Sequence, residues 1–215
     1  MIKNTPKKKI ALIGGGGLAK EIIEVIEILD YEVFGIFAQE DPGMRYSYKG
    51  YLDELLENRS EFSGVILAIG AFNPETIKIR NSILLFLNTH NIEQISIISP
   101  NARIGSGVKI GKGVYIAHNS VVAVDAKICD SVMINTGSLI GHDTTIFPNS
   151  IIGPKVFIGG NCVIENDVTI AASSNILQSI RIGANSTVGI SSLVLKSLKP
   201  NSFTLPEPSR VISRD

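Results

Sequence analysis

The chain has 215 residues, 44% of them apolar, with 20 Lys plus Arg balanced by 20 Asp plus Glu. That balance excludes the electrostatic footprint of a nucleic-acid binder or of a protein held on an acidic surface. No apolar stretch reaches membrane-spanning length, and two cysteines, Cys129 and Cys162, make no disulfide framework. Together these features favour a soluble cytoplasmic protein.

Lys7-Lys8-Lys9 reads as a solubilising lead into the first strand rather than a binding patch. The apolar run Lys9 to Ile13 meets four glycines, Gly14, Gly15, Gly16 and Gly17. Leu18 to Leu29 then carries a broad helical stripe of Ile22, Ile23, Val25, Ile26 and Leu29. Glu32 to Phe37 reads as a second strand, Leu52 to Glu57 as a short helix and Val65 to Ala68 as a third, buried strand. Pro74 opens another helix that runs to His90. Alternating strands and helices of this kind predict a small α/β N-terminal domain, Rossmann-like, with parallel strands.

From Ile98 to Val194 the pattern changes: every sixth residue is Ile or Val, seventeen times in phase. Four residues beyond each anchor stands a small or apolar residue, and Gly, Asn or Asp fills many positions between. This is the pattern of a parallel β-helix of hexapeptide repeats, with three faces, about eighteen residues per turn and nearly six turns. The α/β unit would cover the first turn. Beyond Lys199, where Pro200 breaks the repeat, the rest would form a tail. The expected division is therefore residues 1–97 and residues 98–215.

Among three histidines, His90 is most simply a partner for the carbonyl end of its helix. His118 and His142 both lie two residues past an anchor, on neighbouring faces. His118 reads better as a solvated corner residue than as a functional one. His142 is followed by Asp143, and a carboxylate beside an imidazole can fix its tautomer and raise its basicity. One turn on, eighteen residues later, stands Gly160, whose N–H could face a reacting oxygen. The glycine loop Gly14–Gly17 suits a pyrophosphate or carboxylate, although such loops also occur for packing reasons alone. Cys162 occupies a core slot of its hexad.

The string Ile134-Asn135-Thr136-Gly137-Ser138-Leu139-Ile140-Gly141-His142-Asp143 resembles the signature of bacterial sugar acyltransferases, the group of the sialic acid O-acetyltransferases and UDP-4-amino-sugar N-acetyltransferases. The resemblance covers nearly the whole chain. It implies a left-handed β-helix, a homotrimer, acetyl-coenzyme A in the groove between two prisms, and a nucleotide-sugar on the N-terminal domain. It further implies a place in cell-surface polysaccharide biosynthesis. His142 would be the base and Asp143 its orienting acid. Gly160, Ile151 and Ala172 would lie along the coenzyme. Gly14 to Gly17, Leu18, Gly70, Asn73 and Asn135 would face the acceptor, and no metal is implied. Ala68-Ile69-Gly70, with Asn73 and Arg80, resembles the strand-loop that faces the sugar nucleotide; Arg80 also reads as an ordinary solvated helix residue.

The chain departs from the family pattern in four places. Ile151 stands where a second histidine is often found, and Leu18 replaces the histidine of the glycine loop. Ala38-Gln39 replaces an acidic pair, and Pro206-Glu207-Pro208-Ser209-Arg210 alters the usual ending. The expected activity is acetyl transfer to the amine of a nucleotide-linked amino-dideoxysugar. O-acetylation of a sugar hydroxyl is the close alternative, and a non-catalytic scaffold the remote one. A zinc lyase on the same prism would need a closely spaced histidine pair that this sequence lacks.

Overall fold

The computed structural model describes residues 7–70 and 73–206. Strand β1 (Lys9–Ile13) lies between β2 (Glu32–Phe37) and β3 (Gly64–Leu67) in a parallel sheet. All three strands carry near-continuous apolar runs because both faces of the sheet are covered. Helix α1 (Gly17–Ile28) packs on one face through Ala19, Ile22, Val25 and Ile26. Helices α2 (Leu52–Glu57) and α3 (Pro74–Thr89) lie with Leu55, Ile83 and Leu87 in the core on the other. The helix expected at Leu18–Leu29 and the strand expected at Val65–Ala68 each lie one residue earlier. His90 caps α3, its Nδ1 donating to the Phe86 carbonyl across 2.9 Å.

The second unit is a left-handed parallel β-helix. Its two-residue strands run from Ile97–Ile98 to Leu193–Val194, each pairing with the strand eighteen residues away. The anchors pile into an interior core, fully buried from Ile116 and Val122 upward. Small polar residues also point inward and staple successive turns together. Ser138 Oγ donates to the Gly153 carbonyl (2.8 Å) and accepts from Val156 N–H. Thr144 Oγ1 does the same for Gly159 (3.0 Å) and Cys162 (3.1 Å), so these buried hydroxyls are satisfied. Cys162 is fully buried, as its hexad slot predicts.

One residue per hexad takes a left-handed backbone, from Asn119 (φ 57) and Asp125 (φ 58) through Asp143 (φ 57) and Asn149 (φ 58) to Asn185 (φ 57). Asn and Asp tolerate that conformation best after glycine, which accounts for their recurrence.

The end of the prism differs from expectation. Leu198 bridges to Ile182, and Phe203–Thr204 pairs in parallel with Thr187–Val188. The winding therefore continues past Pro200 to Thr204. The last turn is two residues shorter, since Val188 pairs with Thr204 and not with the residue eighteen along. Glu207 to Arg210 lie outside the described residues.

The residue before each anchor points outward, and each face has its own row. The first face presents Ile97, Tyr115, Met133 and Ile151, which are buried against α1. The third presents Lys109, Lys127, Thr145, Val163 and Arg181. The second presents Val121, Leu139 and Phe157 stacked in register, with Leu139 38% and Phe157 43% exposed.

Candidate active site

His142 and Asp143 stand at the edge where the second face turns into the third. His142 Nδ1 lies 2.7 Å from Asp143 Oδ2, and both side chains are more than half exposed. With Nδ1–H donating to the carboxylate, the lone pair of Nε2 is left free to take a proton. The left-handed conformation of Asp143 is common to its slot in every hexad, so the backbone alone would favour Asp there. The carboxylate adds the contact with His142.

Gly160 stacks one turn above. A Cβ built on it would stand 2.5 Å from His142 Nε2 and 2.7 Å from Cε1. Gly160 does not have a left-handed φ; what a side chain there would meet is the His142 ring, not a backbone restriction. Its N–H has no acceptor among the described residues, while its carbonyl accepts from Ser179 N–H at 2.8 Å.

A second feature lies along the edge between the first and second faces. A cavity of about 650 Å³ opens between the glycine loop and the prism, lined by Gly14 to Gly17, Leu18, Glu21, Ala68, Ile69, Gly70, Asn135, Ile151, Pro154 and Ala172. Its two pairs of glycines differ. Gly14 has φ 112°, and a Cβ there would meet Ile69 Cγ1 at 2.7 Å; a Cβ on Gly15 would meet Pro42 at 2.5 Å. Gly16 and Gly17 have open space around them. Gly16 caps α1 without a side-chain bond, and the first turn of α1 holds no acidic residue. The helix thus presents free N–H groups and the positive end of its dipole at the cavity.

Nine residues expected around acceptor and coenzyme converge here: the four glycines, Leu18, Gly70, Asn135, Ile151 and Ala172. Glu21 and Pro154 were not anticipated, though Pro154 is readable as the residue eighteen before Ala172 on that edge. Asn135 Nδ2 donates to the Ile152 carbonyl at 2.8 Å, fixing the side chain against the next turn. Asn73 is placed elsewhere: its Oδ1 accepts from Thr76 N–H (2.9 Å) as the cap of α3, and it lines a different cavity with Asn81, Asn185 and Phe203. His142, Asp143 and Gly160 do not line the glycine cavity of their own chain.

Two further sequence readings need correction. His118 is not a solvated corner residue: Nδ1 lies 2.6 Å from Ser99 Oγ, and Nε2 is buried with no partner among the described residues. Arg80 is neither solvated nor open to the cavity; it is completely buried between the two units. No group of three or more His, Cys, Asp or Glu suited to a metal ion occurs among the described residues. No described helix is long and apolar enough to cross a membrane.

Two family models match parts of the chain. The PglD N-terminal domain matches residues 9–84, and the bacterial transferase hexapeptide (six repeats) matches residues 89–123. The first part of the chain is thus similar to PglD N-terminal domains and the start of the repeat region to bacterial transferase hexapeptides, and neither model alone spans half of the chain. No curated protein matches it by sequence. A mutant of perosamine N-acetyltransferase from Caulobacter crescentus, in complex with CoA and GDP-perosamine, has a similar structure at TM-score 0.85. It is 23% identical, over 96% of this chain and 97% of that one. The acetyltransferase domain of PglB from Neisseria gonorrhoeae, in complex with acetyl coenzyme A, gives 0.80 at 22% identity, over 91% and 94%. WeeI from Acinetobacter baumannii gives 0.66 at 18%, over 96% and 100%. At these identities the likeness is one of fold.

Proposed function

We propose that the protein transfers the acetyl group of acetyl-coenzyme A to the amine of a nucleotide-linked amino-dideoxysugar. Residues 1–97 would hold the acceptor and residues 98–215 would carry the transfer. The observation that carries this reading is the His142–Asp143 pair, stacked on Gly160 with one imidazole nitrogen free. Two of the solved proteins with similar folds are described in complex with CoA and GDP-perosamine and with acetyl coenzyme A respectively, which supports the choice of donor and acceptor class.

The active assembly is a homotrimer. The glycine cavity and His142 stand on the two edges that bound the second face, and that face carries the exposed row Val121, Leu139 and Phe157. Three prisms packed with this face inward set each cavity edge beside the His142 edge of the next chain. The site is then completed by a neighbour, as a narrow prism without a deep pocket of its own requires.

In the reaction the amine nitrogen attacks the thioester carbonyl, and His142 Nε2 takes the proton that the nitrogen loses. The Gly160 N–H donates to the carbonyl oxygen as it becomes an oxyanion. The C–S bond then breaks, and the proton passes from His142 to the departing thiolate of the coenzyme. Asp143 holds the ring throughout. Transfer is direct, without an acyl-enzyme.

The test is thiol release from acetyl-coenzyme A with a panel of nucleotide-linked amino sugars and free sialic acids. New amide on an amino sugar supports the reading. An ester on a sugar hydroxyl would assign the protein to O-acetylation instead, and thiol release with no acceptor in the panel would reject both.

A further inference from the structure

The guanidinium of Arg80 joins three parts of the molecule. From the middle of α3, Nη1 donates to the Ile69 carbonyl (2.6 Å), Nη2 to the Ser131 carbonyl (2.9 Å) and Nε to Asn149 Oδ1 (2.8 Å). Met133 Sδ lies 3.1 Å from Nη1. Ser131, Met133 and Asn149 belong to the prism, whereas Ile69 belongs to the loop at the rim of the glycine cavity. Burial lowers the Arg80 pKa to about 9, against which the Asp167 carboxylate acts in the opposite sense. Asp167 reaches it through a relay, because Asn149 Nδ2 donates to Asp167 Oδ1 at 2.8 Å. Asn81, one residue along α3, donates to the same oxygen at 3.0 Å.

A fully buried cation is costly, and a packed apolar residue would serve stability as well or better. What an apolar residue could not do is bind two carbonyls and an amide in one plane, which the rigid fork of arginine does. The consequence reaches the cavity. Ile69, held from behind by Arg80, is pressed against Gly14, where a Cβ would meet Ile69 Cγ1 at 2.7 Å and the Ala68 carbonyl at 2.8 Å. One rim of the cavity is thus fixed to the prism that supplies the opposite wall, Asn135 and Ile151.

We propose that Arg80 is a positioning residue for acceptor binding. It sets the distance between the Ala68–Gly70 rim and the prism wall, and so tunes acceptor affinity without touching the acceptor. This rests on the proposed placing of the acceptor on residues 1–97, with the glycine cavity taken as its site.

The test compares wild type with Arg80→Lys and Asn149→Ala in the full-length protein. A lysine cannot reach all three acceptors, and the alanine releases only the prism side. The expected result is a KM for the acceptor raised roughly tenfold in Arg80→Lys and less in Asn149→Ala, with kcat and the KM for acetyl-coenzyme A within about twofold of wild type. Hydrogen exchange should show faster exchange at the Ala68 to Gly70 amides, with the β1 amides unchanged. An unchanged acceptor KM in soluble variants, or a parallel loss in kcat and both KM values, would overturn the proposal. If wild type acetylates no sugar, the functional assignment fails by itself. The exchange experiment then still decides the coupling, and unchanged exchange at Ala68 to Gly70 would reject it.

Discussion

The imidazole of His142 lies against the α-carbon of Gly160 on the next turn, with Nε2 within 2.5 Å of where a Cβ would stand. The three atoms nearest an alanine Cβ at 160 therefore all belong to the tip of a rotatable side chain. The expected result for Gly160→Ala is a protein that melts within about 1 kcal/mol of wild type but turns over roughly tenfold to a hundredfold slower, because the ring is pushed off its position. Gly141→Ala gives the opposite balance. Its Cβ would meet Gly159 C and Gly160 N at 2.4 Å, both of them backbone atoms, so the prism itself must shift. Thermal melts and steady-state rates on the two variants check the contrast. A Gly160→Ala enzyme with full activity would remove His142 from the reaction.

Replacing His142 by Ala should lower turnover by roughly a hundredfold or more while coenzyme binding stays nearly intact. Asp143→Asn separates the two roles of that residue. Asparagine tolerates the left-handed φ of 57° and preserves the turn, but it cannot stabilise an imidazolium. We expect an unchanged melting temperature with kcat reduced roughly tenfold, read from melting curves and initial rates at saturating substrates.

Most of the architecture is legible in the residues because short-range rules decide it. The apolar runs, Pro74 and the hexad anchors fall where the strands and helices begin, and counting eighteen residues places Gly160 over His142. Three things are hidden. The shortened last turn is invisible because Pro200 interrupts the register that would reveal it. Arg80 looks like any polar residue of an amphipathic helix, since its partners Ser131 and Asn149 lie more than fifty residues away. The division of labour among the faces shows only when the residues before the anchors are sorted by eighteen: they then separate into the row under α1, the row carrying Lys109, Lys127 and Arg181, and the row of Val121, Leu139 and Phe157.

Acid stability offers an independent check on the upper turns. Glu165 accepts from Arg181 Nη1 (2.7 Å) and from Ala184 N–H (2.8 Å), and these bonds hold its pKa below the usual glutamate value. A lowered folded-state pKa gives stability that is present above the unfolded-state value, near 4.3, and is lost as pH falls through the lowered one. Glu165→Gln should melt lower than wild type at pH 7, and the difference should shrink as pH is taken below about 4. Melting curves from pH 7 to pH 3 read this directly; a gap that widens in acid would contradict the sign.

The exposed row on the second face should hold the trimer together. Phe157→Glu places a carboxylate between Leu139 and Asn175 on that face. Three like charges about one axis, with no apolar partner gained, oppose association. Sedimentation velocity should show monomers with an unchanged circular dichroism spectrum and little activity. A fully active monomer would place the whole site within one chain.

The shared site has a sharper consequence in mixed assemblies. His142→Ala removes the base but leaves the glycine cavity intact. Ala172→Trp fills the cavity, which Ala172 lines, but leaves His142 in place. Each variant alone should be nearly inactive. If the cavity of one chain meets His142 of the next, a mixed trimer contains junctions where an intact cavity faces an intact histidine. Unfolding and refolding the two variants together should then restore activity, with an optimum near equal proportions. Co-refolding with Phe157→Glu built into both chains should abolish that recovery. If both functions came from one chain, no mixture of these variants could contain a complete site, and activity would stay at the level of the separate variants.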